Sequence, residues 1–288
     1  MQITFIGLGI MGSRMAANLL KHKVNLTVFN RSETPLPELL RLGARTEKNS
    51  LTAVENADIV FTMLSTPEVV GEVMFGKKGC LPAMKKGALW VDCTTVNPSF
   101  SKSSAQKAEN LNIRFIDAPV AGTKPVAEKA ELVFFAGGSE SDIREAEPLL
   151  LFMGRQIVHV GEAGNGSALK MLVNALLANS MLIFSESLLL GEKIGLTKDF
   201  LLNTLPNLPV TAPFIKGKTE MIRHDTYDVQ FPLEWMLKDL RLISETAEEY
   251  GVLHRMTSQA EEIYRQANQD GFSRKDFSAI YDFLKGKP

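Results

Sequence analysis

The sequence predicts an α/β protein in which a doubly wound domain is followed by an all-α C-terminal domain, with a long spine helix joining the two. Three observations predict this fold. A glycine-rich turn follows the first apolar segment, β-type and helical segments alternate through the first half, and the strand pattern stops after residues 161–164. We therefore expect an α/β domain at residues 1–163 and a helical domain at residues 164–288.

The first apolar segment, Ile3–Ile6, leads into a turn with the spacing G-x-G-x-x-G at Gly7, Gly9 and Gly12. In a dinucleotide-binding turn these glycines permit the turn itself, the approach of a pyrophosphate, and close packing of the helix on the strand. The start of that helix offers free N–H groups to phosphates. A glycine turn that binds nothing is the alternative, but a strand before it and a helix after it favour a Rossmann domain. The candidate cofactor-binding residues here are Gly7, Leu8, Gly9, Ile10, Met11 and Gly12.

The alternation of segments predicts a parallel, doubly wound sheet with helices on both faces. Residues 57–64 are almost continuously apolar, as expected of a strand that is covered on both faces. Ligands bind at the carboxyl ends of such strands, so Met63 and Leu64 are further candidates for contact with the cofactor. The predicted strands are Ile3–Ile6, Asn25–Phe29, Asp58–Leu64, Ala88–Asp92, Arg114–Asp117, Glu131–Ala136 and Gln156–Val160.

The residues after the second strand indicate which cofactor is preferred. An acidic residue there would bind the ribose diol of NAD, whereas this chain has Asn30, Arg31 and Ser32. A guanidinium can bind a phosphate through two parallel hydrogen bonds, and Ser32 adds a donor. We therefore expect NADP(H), with NAD(H) as the alternative, although an arginine in a loop is often only a solvated charge.

The composition excludes several other classes of protein. A net charge of −1 gives no electrostatic case for binding nucleic acid or an anionic membrane. Two cysteines without a disulfide pattern suit a reducing compartment, and with no signal peptide predicted we expect a cytoplasmic protein. The four histidines are scattered, so no metal site is expected.

The long apolar segment at residues 166–192 predicts one helix that is apolar over most of its surface, as suits a spine buried between two domains or subunits. Lys170 and Asn174 lie four residues apart and so share one face of it. At the mouth of a cofactor cleft, Lys170 could donate a proton to a substrate carbonyl, and Asn174 could orient the same oxygen. The equal alternative is that Lys170 extends to water from the start of the helix.

A second candidate site follows the strand that ends at Asp117. Backbone N–H groups of Gly122 and Thr123, after Ala121, could form a nest for a carboxylate, although a simple strand-to-helix turn would need the same residues. Phe231 and the adjacent Lys238 and Asp239 lie in the helical half. By themselves they do not indicate a site, because a Lys-Asp pair on a helix is usually solvated.

Together these motifs resemble those of the β-hydroxyacid dehydrogenases, which include 3-hydroxyisobutyrate dehydrogenase, tartronate semialdehyde reductase and the glyoxylate/succinic semialdehyde reductases. The resemblance extends over essentially the whole chain. Residues 5–19 fit the opening motif of the family, residues 117–120 resemble its substrate motif, and residues 166–174 resemble its catalytic motif. The glyoxylate/succinic semialdehyde reductase branch is the most similar, in residues 123–128, 214–218 and 231–233.

The resemblance implies roles for particular residues. It makes Lys170 the acid/base, places Thr95 and Lys238 near the nicotinamide side of the cofactor, and places Phe231 and Asp239 along the active site. Relatives usually have serine at the position of Ala121, and loss of that hydroxyl removes one donor for a substrate carboxylate, worth about 1 kcal/mol toward a neutral group and more toward a carboxylate. The resemblance also implies a homodimer or homotetramer that buries the spine helix between subunits.

The expected activity is NADPH-dependent, reversible reduction of a small aldehyde acid to its hydroxyacid, with succinic semialdehyde, glyoxylate and methylmalonate semialdehyde as candidates in that order. 3-Hydroxyisobutyrate dehydrogenase and tartronate semialdehyde reductase are the alternatives within the family. An imine reductase and a non-catalytic NADP-binding scaffold are alternatives of other classes, and the presence of Lys170 and Asn174 disfavours both.

Overall fold

The computed structural model describes residues 1–287, and its first unit, Met1–Lys170, is built on a nine-stranded sheet. Six strands are parallel and follow the order β3-β2-β1-β4-β5-β6, which is the order of a Rossmann dinucleotide-binding fold. The chain reverses its winding between β1 and β4. The strands are β1 (Ile3–Ile6), β2 (Leu26–Phe29), β3 (Arg45–Thr46), β4 (Ile59–Thr62), β5 (Leu89–Asp92), β6 (Arg114–Asp117), β7 (Val120–Ala121), β8 (Leu132–Gly137) and β9 (Gly154–Gly161).

The expectation of an entirely parallel sheet is wrong at one edge. Strand β8 pairs antiparallel with both β6 and β7 and parallel with β9. A parallel return would need a crossover long enough to span the sheet, whereas the only helix between β6 and β8 has five residues, Lys124–Glu128. Strands β3 and β7 were not expected, because two residues are too few to show a periodic pattern.

Helices cover both faces of this sheet and enclose two apolar clusters. One cluster includes Phe5 and Phe61, and the other packs Phe75 and Phe115 around the buried ring of Trp90. A 3₁₀ turn spans Leu81–Ala83. The α-helices are α1 (Gly12–Lys21), α2 (Leu36–Arg41), α3 (Ser50–Val54), α4 (Pro67–Phe75), α5 (Pro98–Glu109), α6 (Lys124–Glu128) and α7 (Glu140–Met153).

The second unit begins at Met171 and is helical throughout its described residues, apart from one isolated bridge between Pro232 and Asp276. Its apolar core includes the buried rings of Tyr264 and Phe277. Its α-helices are α8 (Asn165–Lys193), α9 (Lys198–Thr204), α10 (Thr219–Arg223), α11 (Leu233–Glu249), α12 (Arg255–Ala267) and α13 (Ile280–Lys285). Shorter turns lie at Leu205–Asn207, Pro213–Gly217, Asn268–Phe272 and Phe277–Ala279.

Helix α8 is the expected spine helix, and the division between the two units falls inside it, after Lys170. The boundary expected from sequence lies earlier, at 163/164. The difference arises because the first turn of α8 is hydrogen-bonded to β6 and therefore belongs with the sheet.

In the single chain one apolar face of α8 is exposed, so burial of this helix between subunits stays a prediction. Leu172, Leu176, Ile183 and Leu190 are each more than half exposed and form one apolar face of the helix. By length and composition alone α8 could cross a membrane, with 44% of its most apolar window buried inside the protein. The buried face of the same helix carries polar side chains, among them Asn174 and Ser185.

Candidate active site

The glycine turn between β1 and α1 is held by contacts that leave no room for side chains at two of its three glycines. A Cβ on Gly7, whose φ is +95°, would lie 2.3 Å from the carbonyl oxygen of Met63. A Cβ on Gly12 would lie 1.9 Å from the carbonyl oxygen of Gly7. A Cβ on Gly9 meets no atom within 4 Å. The fold therefore requires Gly7 and Gly12, while Gly9 borders the open space that a pyrophosphate would need.

The N-terminus of α1 is also free to bind an anion. Among residues 1–287 no side chain caps this helix, whereas Thr66 caps α4 and Asn97 caps α5. The N–H groups of Ser13 and Arg14 already donate to the carbonyls of Gly9 and Met11, so the groups that an anion can use are those that precede them, and a turn of this kind fits the phosphates of a dinucleotide.

Asn30 connects the end of β2 to this turn. Its side-chain oxygen accepts a hydrogen bond of 2.9 Å from the N–H of Leu8, and its amide donates to the carbonyl and hydroxyl oxygens of Ser32. Arg31 between them is exposed. Asn30 therefore fixes the geometry of the loop, and the solvent-facing donor beside it is the guanidinium of Arg31.

A buried network joins the ends of β4 and β5 at the same edge. Asp92 accepts hydrogen bonds through one oxygen from the hydroxyl of Thr62, at 2.8 Å, and from the N–H of Thr94, at 3.0 Å. The hydroxyl of Thr94 in turn accepts from the N–H of Leu64. This fixes the segments that carry Met63, Leu64 and the half-buried Thr95. Sequence reasoning missed Asp92, although an acidic residue that ends an apolar strand is a usable signal.

Burial raises the pKa of Asp92 to about 6, with hydrogen bonds from Thr94 and Thr62 opposing the shift and the Asp117 carboxylate adding to it. The second carboxyl oxygen of Asp92 has no hydrogen-bond partner among the described residues. Asp92 and Asp117 are direct neighbours across β5 and β6, so two acidic groups lie side by side in the interior.

Asp117 holds the start of the spine helix. Its two carboxylate oxygens accept hydrogen bonds from the N–H groups of Gly164, at 2.7 Å, and Ser167, at 2.6 Å. A Cβ on Gly166 would lie 2.2 Å from the carbonyl oxygen of Phe135, so only glycine permits this approach. Burial raises the pKa of Asp117, and the hydrogen bonds oppose the shift. Lys170, which is buried, follows Ser167 by three residues on the same helix.

The loop after Asp117 forms the expected turn. Ala121 ends β7, Gly122 has a φ of +130°, and Thr123 occupies the N-cap position of α6 without using its side chain as a cap. A Cβ on Gly122 would meet the side chains of Val126 and Leu132 at 2.8 Å. Glycine is therefore required here by the fold itself, whether or not the turn also binds a carboxylate.

In the second unit, Asn174 and Asp239 form a buried pair. The Asn174 amide donates a hydrogen bond of 2.6 Å to Asp239 Oδ2, and the ammonium of Lys238 lies 2.5 Å from Asp239 Oδ1 at ion-pair distance. Asn174 Oδ1 is buried with no hydrogen-bond partner among the described residues, which leaves an acceptor for a ligand. Lys170 precedes Asn174 by one helical turn on α8.

Phe231 lies just before α11, the helix that carries Lys238 and Asp239. It is half-buried, and its ring packs on that of Phe277 with the centroids 5.6 Å apart. The structure thus groups the expected residues within each unit. The glycine turn, Asn30, Met63 and Leu64 are joined in the first, and Asn174, Lys238 and Asp239 in the second. Residues 1–287 contain no cluster of three or more His, Cys, Asp or Glu that could hold a metal ion.

A glycine turn at the switch point of a Rossmann sheet, followed by a helical unit, defines an NAD(P)-dependent oxidoreductase. Residues 2–161 match the family model described as the NAD binding domain of 6-phosphogluconate dehydrogenase. Residues 164–284 match the model described as NAD-binding of NADP-dependent 3-hydroxyisobutyrate dehydrogenase.

The chain is also similar along its length to characterised proteins. It is 34% identical to glyoxylate/succinic semialdehyde reductase 2, chloroplastic, of Arabidopsis thaliana, over 98% of this chain and 79% of that protein. It is 34% identical to mitochondrial 3-hydroxyisobutyrate dehydrogenase of Bos taurus, over 98% of this chain and 86% of that protein. The solved structure of 3-hydroxyisobutyrate dehydrogenase from Mycobacterium tuberculosis with L-serine superimposes with a TM-score of 0.89 at 30% identity, covering 99% of each chain.

The chain therefore belongs to the β-hydroxyacid dehydrogenase family, whose members are oxidoreductases that act on CH–OH donors with NAD(P). The family and the fold that the resemblance implied are confirmed. The roles of the individual site residues stay predictions.

The three glycines of the turn are expected to respond differently to alanine. Gly12→Ala should lower the free energy of unfolding by about 2 kcal/mol or more, because its Cβ overlaps the Gly7 carbonyl. Gly9→Ala should change it by only about 0.5 kcal/mol. It should nevertheless weaken binding of NADPH by about tenfold or more, since its Cβ occupies the phosphate space. Urea unfolding and fluorescence titration measure both quantities, and equal losses of stability would contradict this division.

Asp92 is expected to make stability fall as pH rises. Its folded-state pKa of about 6 exceeds the ordinary value of 3.8, so the folded protein binds more protons across that interval. Asp92→Asn keeps the acceptor oxygen and should remove this loss, so the variant gains stability relative to wild type between pH 4 and 6, as measured by urea unfolding.

Asp58→Asn serves as the matched control with the opposite sign. The pKa of Asp58 is lowered by the N–H of Gln2 and by Lys85, so this variant should lose stability relative to wild type as pH rises from the folded-state pKa to the ordinary value of 3.8, and should run parallel to wild type above it. Parallel pH profiles for wild type and Asp92→Asn would show that Asp92 does not retain its proton.

Proposed function

We propose that this chain is an NADPH-dependent reductase of small aldehyde acids of the succinic semialdehyde and glyoxylate type, acting in reverse as a hydroxyacid dehydrogenase. The observation that carries the proposal is the pair of polar groups on α8. The ammonium of buried Lys170 and the unsatisfied Oδ1 of Asn174 lie one helical turn apart, so the ammonium can donate to a substrate carbonyl oxygen while Oδ1 accepts from the ammonium or from the hydroxyl of the alcohol.

NADPH, when bound, supplies the hydride that reduces the aldehyde carbon. Lys170 donates a proton to the carbonyl oxygen, so that the aldehyde becomes an alcohol without leaving an alkoxide in the site. Lys170 then recovers a proton from solvent. Removal of the proton-donating group from such a reaction costs about 10²–10⁴-fold in rate.

Asn174 acts as a hydrogen-bond acceptor in this proposal. Its NH₂ group donates to Asp239, and this fixes the amide with Oδ1 away from any donor among the described residues, so that Oδ1 stays available to a ligand. That oxygen accepts a hydrogen from the Lys170 ammonium or from the hydroxyl of the alcohol product. Asp239 is thereby a positioning residue for Asn174, and its own orientation is supported by Lys238.

The carboxylate of the substrate is assigned to the turn at Ala121, Gly122 and Thr123, where the backbone N–H groups are the available donors. With alanine at 121 the turn supplies no side-chain hydroxyl at that position. The two relatives named above act on succinic semialdehyde and glyoxylate, and on 3-hydroxyisobutyrate, by their names. Similarity in residues 123–128, 214–218 and 231–233 to the first branch favours the unbranched aldehyde acids.

NADPH is preferred over NADH in this proposal because residues 30–32 carry no carboxylate and include an exposed guanidinium. Asn30 holds the loop on Leu8, so that Arg31 and the hydroxyl of Ser32 remain beside the position of a ribose 2′-phosphate. Bidentate binding of a phosphate by arginine supplies the discrimination.

We also infer that the exposed apolar face of α8, formed by Leu172, Leu176, Ile183 and Leu190, is covered by a second copy of the chain. Contiguous apolar surface of this kind is uncommon on monomers. A monomeric mass in sedimentation velocity would contradict this.

NADPH oxidation is measured with succinic semialdehyde, glyoxylate and methylmalonate semialdehyde, with NADH in parallel. Wild type should reduce both succinic semialdehyde and glyoxylate, and Lys170→Ala should lower kcat by about 10²–10⁴-fold with the Kd of NADPH nearly unchanged. Lys193→Ala, an exposed lysine at the other end of α8, is the matched control and should remain active. Unchanged turnover in Lys170→Ala rejects the role of the lysine, and no turnover of any aldehyde by wild type rejects the substrate class.

Arg31→Ala is expected to weaken NADPH by about tenfold or more and NADH by less than about twofold, because only NADPH carries the 2′-phosphate. Lys48→Ala, another exposed cation of the same unit, is the control and should leave both affinities unchanged. Fluorescence titration of wild type and the two variants gives the six dissociation constants. An equal loss for both cofactors in Arg31→Ala would exclude a contact with the 2′-phosphate.

A further inference from the structure

A buried ion pair in the second unit joins the turn Pro213–Gly217, through the next residue, Lys218, to the segment before the last helix. The ammonium of Lys218 lies 2.9 Å and 3.0 Å from the two carboxylate oxygens of Asp276, and the side chains are 4% and 0% exposed. Burial lowers the pKa of Lys218, and the Asp276 carboxylate opposes that shift. The same ammonium donates to the side-chain oxygen of Gln230 at 3.0 Å.

Asp276 binds the backbone that leads to α11. Its Oδ2 accepts hydrogen bonds from the N–H groups of Gln230, at 3.2 Å, and Phe231, at 3.0 Å. Its Oδ1 accepts from the N–H and the hydroxyl of Ser278. One carboxylate thus collects donors from three separate segments and fixes the backbone on both sides of Gln230.

Further bonds extend the same clamp along both segments. The N–H of Phe277 donates to the carbonyl of Phe231 at 2.9 Å, and the N–H of Leu233 donates to the carbonyl of Lys275 at 2.9 Å. The rings of Phe231 and Phe277 are packed together, with the Lys218 ammonium 5.0 Å from the centroid of Phe277. The position of Phe231 and the first turn of α11 therefore both depend on residues 275–278.

Stability alone is a poor account of this pair. A buried ion pair must recover the free energy of desolvating both charges, and an apolar pair of similar volume often stabilises a fold as well or better. An apolar pair could not, however, bind the two N–H groups of residues 230 and 231. The hydrogen bonds of the charged pair are directional and therefore fix one backbone conformation, which apolar packing alone would not do.

We propose that Lys218 and Asp276 are positioning residues that fix Phe231 and thereby set the enzyme's discrimination between aldehyde acids of different length. This assignment rests on the proposed function and on the position along the active site that the family resemblance implies for Phe231. Beside the Phe231 ring a short substrate such as glyoxylate leaves space unfilled, whereas the longer succinic semialdehyde fills it. A displacement of the ring therefore changes kcat/KM for the two substrates by different factors.

The test compares Asp276→Asn with Asp270→Asn. The first keeps the shape of the buried residue but removes the charge and replaces one acceptor oxygen by a donor. The second makes the same substitution in the exposed Asp270–Lys287 pair, whose atoms are 2.6 Å apart. The readout is the ratio of kcat/KM for succinic semialdehyde to kcat/KM for glyoxylate. Asp276→Asn should shift that ratio by about fivefold or more, and Asp270→Asn by less than about twofold.

A double-mutant cycle separates positioning from a general loss of structure. In a Phe231→Ala background Asp276→Asn should shift the ratio by less than about twofold, because the ring through which it acts is absent. A ratio that stays within twofold of wild type in Asp276→Asn overturns the proposal. A shift that persists undiminished in the Phe231→Ala background overturns it equally.

A milder variant covers the case in which Asp276→Asn does not fold, as judged by circular dichroism. Gln230→Met keeps the ion pair and removes only the hydrogen bond from Lys218 to the Gln230 side chain. If Asp276→Asn does not fold, Gln230→Met should shift the ratio of the two kcat/KM values by more than about twofold. A smaller shift in Gln230→Met then rejects the proposal. A wild-type enzyme that reduces neither aldehyde rejects the proposed function. An active wild type whose ratio none of these variants moves rejects the positioning role alone.

Discussion

The carboxylate of Asp117 holds the helix on which the proposed chemistry depends. It satisfies two N–H groups at the start of α8, where a negative charge is favoured by the helix dipole, and it does so from the last residue of β6. The approach is close enough that Gly137 and Gly166 must lack side chains, since a Cβ on either would meet an Asp117 oxygen within 2.9 Å. Strand β6 thereby holds the first turn of the helix that carries Lys170, through buried, charge-assisted hydrogen bonds.

The two units contribute different kinds of group. The first offers mainly backbone, in the N–H groups of the glycine turn and of the loop after β7, which suits the binding of phosphate and carboxylate. The second offers mainly side chains held by other side chains, with Asp239 orienting Asn174 and Asp276 fixing the segment of Phe231. In the proposed function the backbone groups bind the phosphates and carboxylate that cofactor and substrates have in common, whereas side chains can be exchanged without changing the fold. Specificity is therefore expected to reside chiefly in the helical unit.

Local patterns in the sequence predicted much of this structure. The glycine spacing, the apolar strands and the length of α8 all depend on neighbouring residues, and each is confirmed. The antiparallel course of β8 depends on pairing between distant segments, and β3 and β7 are too short to show a pattern. Asp117 and Gly164 are 47 residues apart, and Lys218 and Asp276 are 58 apart, so neither bond leaves a local trace. The sequence of α8 does not distinguish burial by its own chain from burial by another chain, because an apolar helix has the same pattern in both cases.

The contrast among the glycines of the turn bears on how such chains diverge. Gly7 and Gly12 are enforced by the packing of the protein on itself, and would be retained in any descendant that keeps the fold. A Cβ on Gly9 meets no atom of the polypeptide within 4 Å, so in the proposed function only the bound cofactor opposes a side chain there. A descendant that had given up its cofactor could drift at this position while its sheet and helices stayed intact. The residue at position 9 is thus a marker of retained cofactor use that is independent of retained architecture.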